Sequence, residues 1–254
     1  MLRVINAAII LYLLAPIVVV IATAFTTTAY PVFPPQGFSL RWFEKFLATP
    51  EFVEAIRLST ALAAVSTFGA AILGTFSGLA LTRFAIPGKS VLSALLLSPI
   101  LFPTIVLGLA LLIFNTRIGI SGTFPGLVCA HVVLTTPFVI RMVMVSLAQF
   151  DPAIEEAARN LGAGWWRTFL FVTLPLIRPG VLAGAVFAFI LSFDELVVTL
   201  FLSAPGLQTL PIRIYTYVEY SSDPTISAIS TVLIATWLVI GLPVYARFLS
   251  VRHP

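Results

Sequence analysis

Two acidic residues stand side by side inside a long apolar run of the sequence. Asp194 and Glu195 lie within residues 181–203, and no other long apolar run contains an aspartate or a glutamate. An ionised carboxylate at the centre of a bilayer costs about 2.5–3.5 kcal/mol, so such a residue usually has a function. The chemistry that this pair offers is electrostatic attraction of a cationic solute. The alternative interpretation is a structural pair that a partner subunit satisfies, or a kink near the membrane edge.

A second group of charged residues begins a polar-containing segment, residues 151–180, that interrupts the apolar runs. Asp151 can cap a helix, and Pro152 suits the first helical position. Glu155 and Glu156 would then lie near the positive end of the helix dipole. These signals predict that a helix begins here.

The following residues predict that this helix is amphipathic and covers residues 152–162. Four small or apolar residues recur at i, i+3, i+4 and i+7 and share one face: Ile154, Ala157, Ala158 and Leu161. Glu155 and Arg159 lie off this stripe, and Gly162 offers a stop signal. So short a helix buries little by itself, so we expect it to dock on another surface. An ordinary helix on the membrane surface is the alternative, but balanced charges suit an anionic bilayer poorly.

The order of residues in this segment resembles the EAA loop of bacterial ABC-importer permeases. That pattern is Glu-Ala-Ala, three residues, Gly, nine residues and Ile-x-Leu-Pro. This sequence, with Val in place of Ile, has Glu156, Ala157, Ala158, Gly162, Val172, Leu174 and Pro175 at that spacing. The resemblance implies that residues 149–179 form a cytoplasmic coupling loop whose helix sits in a cleft of a partner ATPase. The residues expected to couple are Glu155, Glu156, Ala157, Ala158 and Gly162.

Composition and hydropathy describe a polytopic membrane protein. Hydrophobic residues make up 59% of the 254 residues, charged residues make up 9%, and the mean hydropathy is +1.08. No soluble domain of this length needs so much apolar surface. The apolar runs predict an all-α fold with six transmembrane helices at about residues 5–25, 56–82, 91–114, 124–147, 181–203 and 226–249. We therefore expect residues 1–254 to form a single transmembrane domain.

Several residues inside the predicted spans bear on how the helices pack. Glycine pairs with the spacing that lets helices approach closely occur twice: Gly74-x-x-x-Gly78 and Gly180-x-x-x-Gly184. Pro99 and Pro103 interrupt the third span, where freed carbonyls would have to face a cavity or a neighbouring helix. His131 stands alone in the fourth span, and we predict a hydrogen-bonded packing residue rather than a ligand or proton carrier.

The distribution of Lys and Arg orients the predicted helices. If both termini are cytoplasmic, nine of the 14 basic residues lie on the cytoplasmic side: Arg3, Arg83, Lys89, Arg141, Arg159, Arg167, Arg178, Arg247 and Arg252. The five on the outer side are Arg41, Lys45, Arg57, Arg117 and Arg213. This bias follows the positive-inside rule and puts the coupling loop in the cytoplasm.

The sequence argues against several other kinds of site. Gly88-Lys89-Ser90 is similar to the end of a phosphate-binding loop, but Arg83 stands where that motif requires glycine. The single Cys129 rules out an internal disulfide or a cysteine metal cluster. There is no His/Glu metal pattern, no nucleophile with a base at recognisable spacing and no nucleic-acid patch. We therefore predict no catalytic residue, metal ligand or cofactor in this chain.

Further strings of residues resemble the spermidine/putrescine subfamily of these permeases. They are Ser192–Thr199, Thr209–Pro211, Asp223–Ile226 and Ser230-Thr231. The resemblance implies a polyamine importer, in which Asp194 and Glu195 would line the solute pathway and suit a polycation. Aromatic residues predicted near the outer face could contact an amine or could be interfacial anchors: Trp42, Phe43, Tyr215, Tyr217 and Tyr220.

The family resemblance also implies a type I ABC importer permease fold and a complex in the bacterial inner membrane. Such a permease pairs with a second permease, here expected to be a different chain. Two cytoplasmic ATPases would bind ATP and Mg²⁺, a periplasmic or extracellular binding protein would deliver solute, and lipid would surround the helices. The alternative is an ion-coupled secondary transporter of a small organic solute. That class needs buried ionisable coupling residues and usually an internal repeat, and this sequence has few of the former and shows no repeat.

Overall fold

The computed structural model describes residues 1–250, and the regular structure of these residues is entirely helical. The α-helices are α1 (Leu2–Thr23), α2 (Arg41–Ala48), α3 (Pro50–Arg83), α4 (Lys89–Leu97), α5 (Thr104–Arg117), α6 (Phe124–Leu147), α7 (Ala153–Asn160), α8 (Trp165–Thr168), α9 (Leu174–Asp194), α10 (Val197–Leu202), α11 (Leu210–Tyr220) and α12 (Thr225–Ser250). A 3₁₀ turn (Ser98–Ile100) follows α4, and a π turn (Phe169–Thr173) joins α8 to α9. Arg252, which the charge count assigns to the cytoplasmic side, lies outside the described residues.

Four helical segments of the described chain are long and apolar enough to cross a bilayer: Leu2–Thr23, Pro50–Arg83, Phe124–Leu147 and Trp165–Asp194. Apolar spans form helices because a backbone in lipid has to satisfy its hydrogen bonds within the segment. The predicted fourth span has the bounds of α6, and the first, second and last predicted spans correspond to α1, α3 and α12. A total of six spans stays a prediction.

The third predicted span is not one continuous helix. α4 and α5 meet at an angle of 105°, and Pro99 and Pro103 lie at the junction. A proline has no N–H for the helical ladder, and its ring clashes with the preceding turn. The two prolines predict an interruption at this position. The large bend shows in addition that the predicted span consists of two separate half-helices.

The helix that contains most of the fifth predicted span, residues 181–203, has different bounds from that span at both ends. The helix begins at Trp165, continues through the π turn and ends at Asp194. The Leu174 N–H bonds to Phe169 O, five residues back, and Pro175 directly follows this wider turn. The ring of Pro175 would clash with the carbonyl four residues before it in a regular helix. Two non-helical residues then separate α9 from α10.

α6 lies at the centre of the compact unit formed by Ala55–Ile212. The glycines of α3 and α9 lie directly against it. A Cβ atom at Gly74 would be 2.5 Å from Val139 Cβ, and one at Gly180 would be 2.5 Å from Ser146 Cβ. No larger residue fits at these distances, so the prediction that the two glycine pairs mediate close helix packing is confirmed.

The other compact unit contains Met1–Glu54 and the described residues from Arg213 onward. In it, α12 packs against α1 and α2. Trp42 on α2 donates its indole N–H to Thr26 O at 2.9 Å and is only 7% exposed. Trp42 is therefore an internal packing residue rather than an interfacial anchor or a solute contact.

An ion pair between Lys45 and Asp223 closes this unit, and Tyr217 donates its hydroxyl to the same Asp223 carboxylate at 2.9 Å. Burial alone raises the pKa of Asp223, but hydrogen bonds from Lys45, Thr225 and Tyr217 outweigh it and hold that pKa below its usual 3.8. The stabilisation is therefore present above pH 3.8 and is lost as the pH falls through the lowered pKa. Because Lys45 is about half exposed, the pair contributes at most about 1 kcal/mol.

The glycine packing yields a stability prediction. Gly180→Ala places a methyl group 2.7 Å from the carbonyl oxygen of Met142, so we expect it to lower the free energy of unfolding by about 1–3 kcal/mol. Gly164→Ala is the matched control, because a Cβ there would contact nothing within 4 Å. Reversible unfolding of the purified chain in mixed detergent measures both. Equal stability of the two variants would contradict the packing role of Gly180.

Candidate functional site

Hydrogen bonds define both ends of α7, which lies inside the predicted coupling helix. Asp151 Oδ1 accepts from the N–H of Ala153 at 2.9 Å and so caps the first turn. At the other end Gly162 has φ +90° and donates its N–H to Arg159 O at 2.9 Å, and the next residue donates to Ala158 O at 3.1 Å. These two bonds form a Schellman motif, which favours glycine at the left-handed position. The predicted cap and stop are therefore confirmed.

The apolar stripe of α7 faces away from its own compact unit. Ile154 is 45% exposed, Leu161 at the end of the helix is 90% exposed, and Ala157 is also exposed. The acidic Glu155 is instead only 4% exposed. A helix that turns its apolar side to solvent and buries an acid presents a surface suited to another molecule.

The buried Glu155 is held by two partners from different helical segments. Its Oε2 lies 2.9 Å from Arg83 Nε, which makes a charge pair, and its Oε1 accepts from Thr173 Oγ1 at 2.6 Å. Arg83 also directs Nη2 to Leu147 O at 3.5 Å and lies over the Phe150 ring. One buried carboxylate thus connects α7 to the end of α3 and to the π turn before α9, and Arg83 extends this contact to the end of α6.

The five residues predicted to couple this chain to an ATPase lie on two different sides of α7. Glu156, Ala157 and Gly162 are exposed and Ala158 is half-buried, so they belong to the outer surface of α7. Glu155 lies on the inner side, above a cleft of about 290 Å³ between α7, α3 and α8. Its carboxylate is committed to the chain itself, and the coupling role of all five residues stays a prediction.

Asp194 and Glu195 lie at a break between two helices rather than inside one continuous span, so the structure has the kink that the sequence left open as an alternative. Asp194 is the last residue of α9, and Glu195 has an extended backbone with φ −70° and ψ 116°. Glu195 Oε1 accepts from the N–H of Val198 at 2.8 Å and so caps the first turn of α10. Asp194 is exposed, and within residues 1–250 its carboxylate takes part in no hydrogen bond or ion pair. The two neighbouring acids therefore have different environments.

His131 of α6 connects the two helices on either side of this break. Its Nδ1 lies 2.8 Å from Ser192 Oγ of α9, and its Nε2 lies 3.0 Å from Thr199 Oγ1 of α10. The ring is fully buried. The prediction of a hydrogen-bonded packing histidine is confirmed, and in the described chain no cluster of three or more His, Cys, Asp or Glu side chains could hold a metal ion.

The sequence alone does not reveal the partners of Glu155 or the contacts that surround Asp194 and Glu195. In the sequence Arg83 contributes only to the charge distribution, and Thr173 lies inside the predicted loop. A basic residue at the end of one span and an acid in the next loop is a signal for such a pair, but a weak one. Ser192 and Thr199 flank the two acids, and their link to His131 depends on tertiary packing that no local pattern reveals.

These features define a class of protein. These features are apolar helices, a free carboxylate at a helix break, and an amphipathic helix between spans that turns its apolar stripe to solvent. They are typical of a multi-pass membrane transport component. The chain belongs to the family of binding-protein-dependent transport system inner membrane components, whose sequence profile matches residues 19–250. It is therefore a multi-pass inner-membrane permease of the ABC-importer type.

Three transport permeases of known function are similar to this chain in sequence. The chain is 32% identical over 232 residues to the spermidine/putrescine transport system permease protein PotC of Escherichia coli K12, covering 91% of this chain and 88% of PotC. It is 31% identical over 237 residues to the putrescine transport system permease protein PotI of the same organism, covering 91% and 84%. The molybdenum transport system permease protein ModB of Escherichia coli K12 is 33% identical over 189 residues, covering 68% and 82%.

Solved structures show the same fold at lower identity. The structure of a bacterial ABC transporter that imports the acidic polysaccharide alginate matches with a TM-score of 0.75 and 16% identity, over 97% of this chain and 94% of that one. The methionine ABC transporter MetNI in an inward-facing conformation matches with a TM-score of 0.64 and 22% identity, over 80% and 96%. The ABC permease fold that the sequence resemblance implied is therefore confirmed.

The two adjacent acids of α7 provide a matched pair for a stability test. Glu155→Gln leaves Arg83 as an uncompensated, largely buried charge, so we expect it to cost about 3–5 kcal/mol. Glu156→Gln changes an exposed side chain and should cost less than about 0.5 kcal/mol. Thermal unfolding of the purified variants compares them. Equal melting temperatures would show that the Glu155–Arg83 pair does not hold α7.

Proposed function

We propose that this chain is a permease subunit of an ATP-driven importer and forms half of the pathway for a small cationic solute, a polyamine such as spermidine or putrescine. Its family and its similarity to PotC and PotI support a solute of this kind. Asp194 and Glu195 support it independently, because acids among apolar spans favour a cationic partner.

The observation that carries the coupling function is the orientation of α7. Its apolar side, including Ile154 and Leu161, is open to solvent, while Glu155 anchors its inner side by a buried charge pair. A partner ATPase would bury the open side. Small residues such as Ala157 permit close docking, and the exposed Glu156 would contact polar groups of the ATPase.

In the proposed complex, the contacts of Glu155 would pass movements of the ATPases from α7 to α3 and α9. ATP-driven closure of the ATPases would move α7, and Glu155 would transmit the movement to α3 through Arg83 and to α9 through Thr173. A buried charge pair resists separation more strongly than apolar contact does, because separation leaves both charges unsolvated. The pathway would then open alternately to the two sides of the membrane.

The proposed assembly contains a second, different permease, two ATPases that hold ATP and Mg²⁺, and an external binding protein. This chain would supply no cofactor of its own. Both termini would be cytoplasmic, as the charge distribution predicts. The six spans would be α1, α3, the bent pair α4–α5, α6, the helix from α8 to α9, and α12.

Changes on the outer surface of α7 test the coupling role. We expect Glu156→Lys, which reverses a charge at the docking surface, and Gly162→Asp, which strains the left-handed stop, to abolish ATP-dependent putrescine uptake. Uptake is measured in proteoliposomes that contain the whole complex. Amounts of chain inserted in the membrane should equal wild type.

Glu54→Lys is the matched charge-reversal control, because Glu54 is exposed at the start of α3 and lies outside α7. It should transport normally. Normal uptake by both α7 variants would show that α7 does not couple ATP hydrolysis to transport.

A further inference from the structure

The break between α9 and α10 is built by side chains rather than by proline or glycine. Residues 194–196 read Asp-Glu-Leu, and each can continue a helix. The chain nevertheless leaves the helix at Glu195, and α10 begins at Val197. Tertiary hydrogen bonds therefore have to stabilise this break.

Glu195 makes two hydrogen bonds with the first turn of α10. Its carboxylate accepts from the N–H of Val198 at 2.8 Å, and its carbonyl oxygen accepts from Thr199 Oγ1 at 2.9 Å. These bonds satisfy groups that a helix end leaves open. The side chain that caps α10 is thereby held at a fixed position beside the break.

His131 fixes the other side of the same network. The single hydroxyl proton of Thr199 goes to the Glu195 carbonyl, so Thr199 Oγ1 accepts from His131 Nε2. A neutral imidazole with its proton on Nε2 then accepts from Ser192 Oγ at Nδ1. One buried ring thus holds both helices across the break.

Asp194 is left as the free acid at this position. It lies 16 residues after Arg178, which is about 24 Å along a helix. If Arg178 lies at one membrane surface, Asp194 is inside a hydrocarbon layer of about 30 Å. An exposed carboxylate at that depth faces a water-filled pathway, a cation or a polar group of the partner permease rather than lipid.

We propose that His131 is a positioning residue that keeps α9 and α10 separate. As a result, Asp194 alone presents a carboxylate to the cationic solute, and Glu195 serves as a helix cap. The inference rests on the proposed function and divides the roles of the two acids within it. His131 does not itself touch the solute.

The ratio of putrescine taken up to ATP hydrolysed separates positioning from folding. A variant that merely folds poorly lowers uptake and ATP hydrolysis together and leaves the ratio unchanged. A variant that disturbs the pathway lowers uptake while the loaded binding protein still stimulates ATP hydrolysis through α7. The measurement uses the complete complex in proteoliposomes.

We expect Asp194→Asn and His131→Leu each to lower this ratio about tenfold, the size expected when one charge-assisted contact is lost. Combining them should lower it no further than Asp194→Asn alone, because both act through one carboxylate. His131→Gln keeps a polar group toward Thr199 and should recover part of the loss. Cys129→Ser, an exposed position on α6, is the matched control.

Two variants of Glu195 test whether Asp194 and Glu195 have the different roles proposed. Glu195→Gln can still accept from the Val198 N–H and should keep most of the ratio, whereas Glu195→Ala should resemble His131→Leu. If His131→Leu fails to assemble, Ser192→Ala removes only one of the two bonds and should lower the ratio by a smaller factor, about threefold.

A wild-type ratio in His131→Leu or Ser192→Ala, or equal loss in Glu195→Gln and Asp194→Asn, overturns the positioning role. Absence of ATP-dependent putrescine uptake by the unmodified complex overturns the proposed function instead. The two failures are therefore distinguishable.

Discussion

The close packing of α6 between α3 and α9 is the constraint on which both candidate sites depend. Glycines let the three helices approach at distances that a methyl group would not permit. This contact fixes the end of α3, where Arg83 binds Glu155, and fixes both ends of α9. Without it, neither the anchor of α7 nor the His131 contacts across the helix break could form.

The two sites share one physical rule although they differ in position. In an apolar chain a buried polar group has to find its partner inside the protein. Glu155 meets this rule with Arg83 and Thr173, and Glu195 meets it with the first turn of α10. Asp194 is the acid that these networks leave unsatisfied, which is why it stands out as a group for a ligand.

Local patterns in the sequence predicted the features that depend on local physics. Residues 124–147 form a helix with those bounds because the run is predominantly apolar and Thr123 caps its first turn. α7 has its cap and stop because Asp151 and Gly162 act within a few residues. The glycine spacing predicted close packing for a similar reason, since it places two small residues on one face.

Features set by tertiary contacts could not be predicted in the same way. The break after Asp194 has no proline or glycine to signal it and depends on a histidine 63 positions earlier in the chain. Which of two adjacent glutamates is buried on α7 depends on Arg83, a residue of another helix. The angle between α4 and α5 exceeded what two prolines alone indicate.

Solute-stimulated ATP hydrolysis by the complete complex tests the proposed importer function first. The chain would be purified with its partner permease, ATPases and binding protein, reconstituted in lipid, and assayed with polyamines, amino acids and sugars. If the pathway takes a cationic solute, putrescine or spermidine bound to the binding protein stimulates hydrolysis, and neutral sugars do not. Stimulation by an uncharged solute instead would contradict the cationic pathway, and absence of any associated ATPase activity would contradict the importer itself.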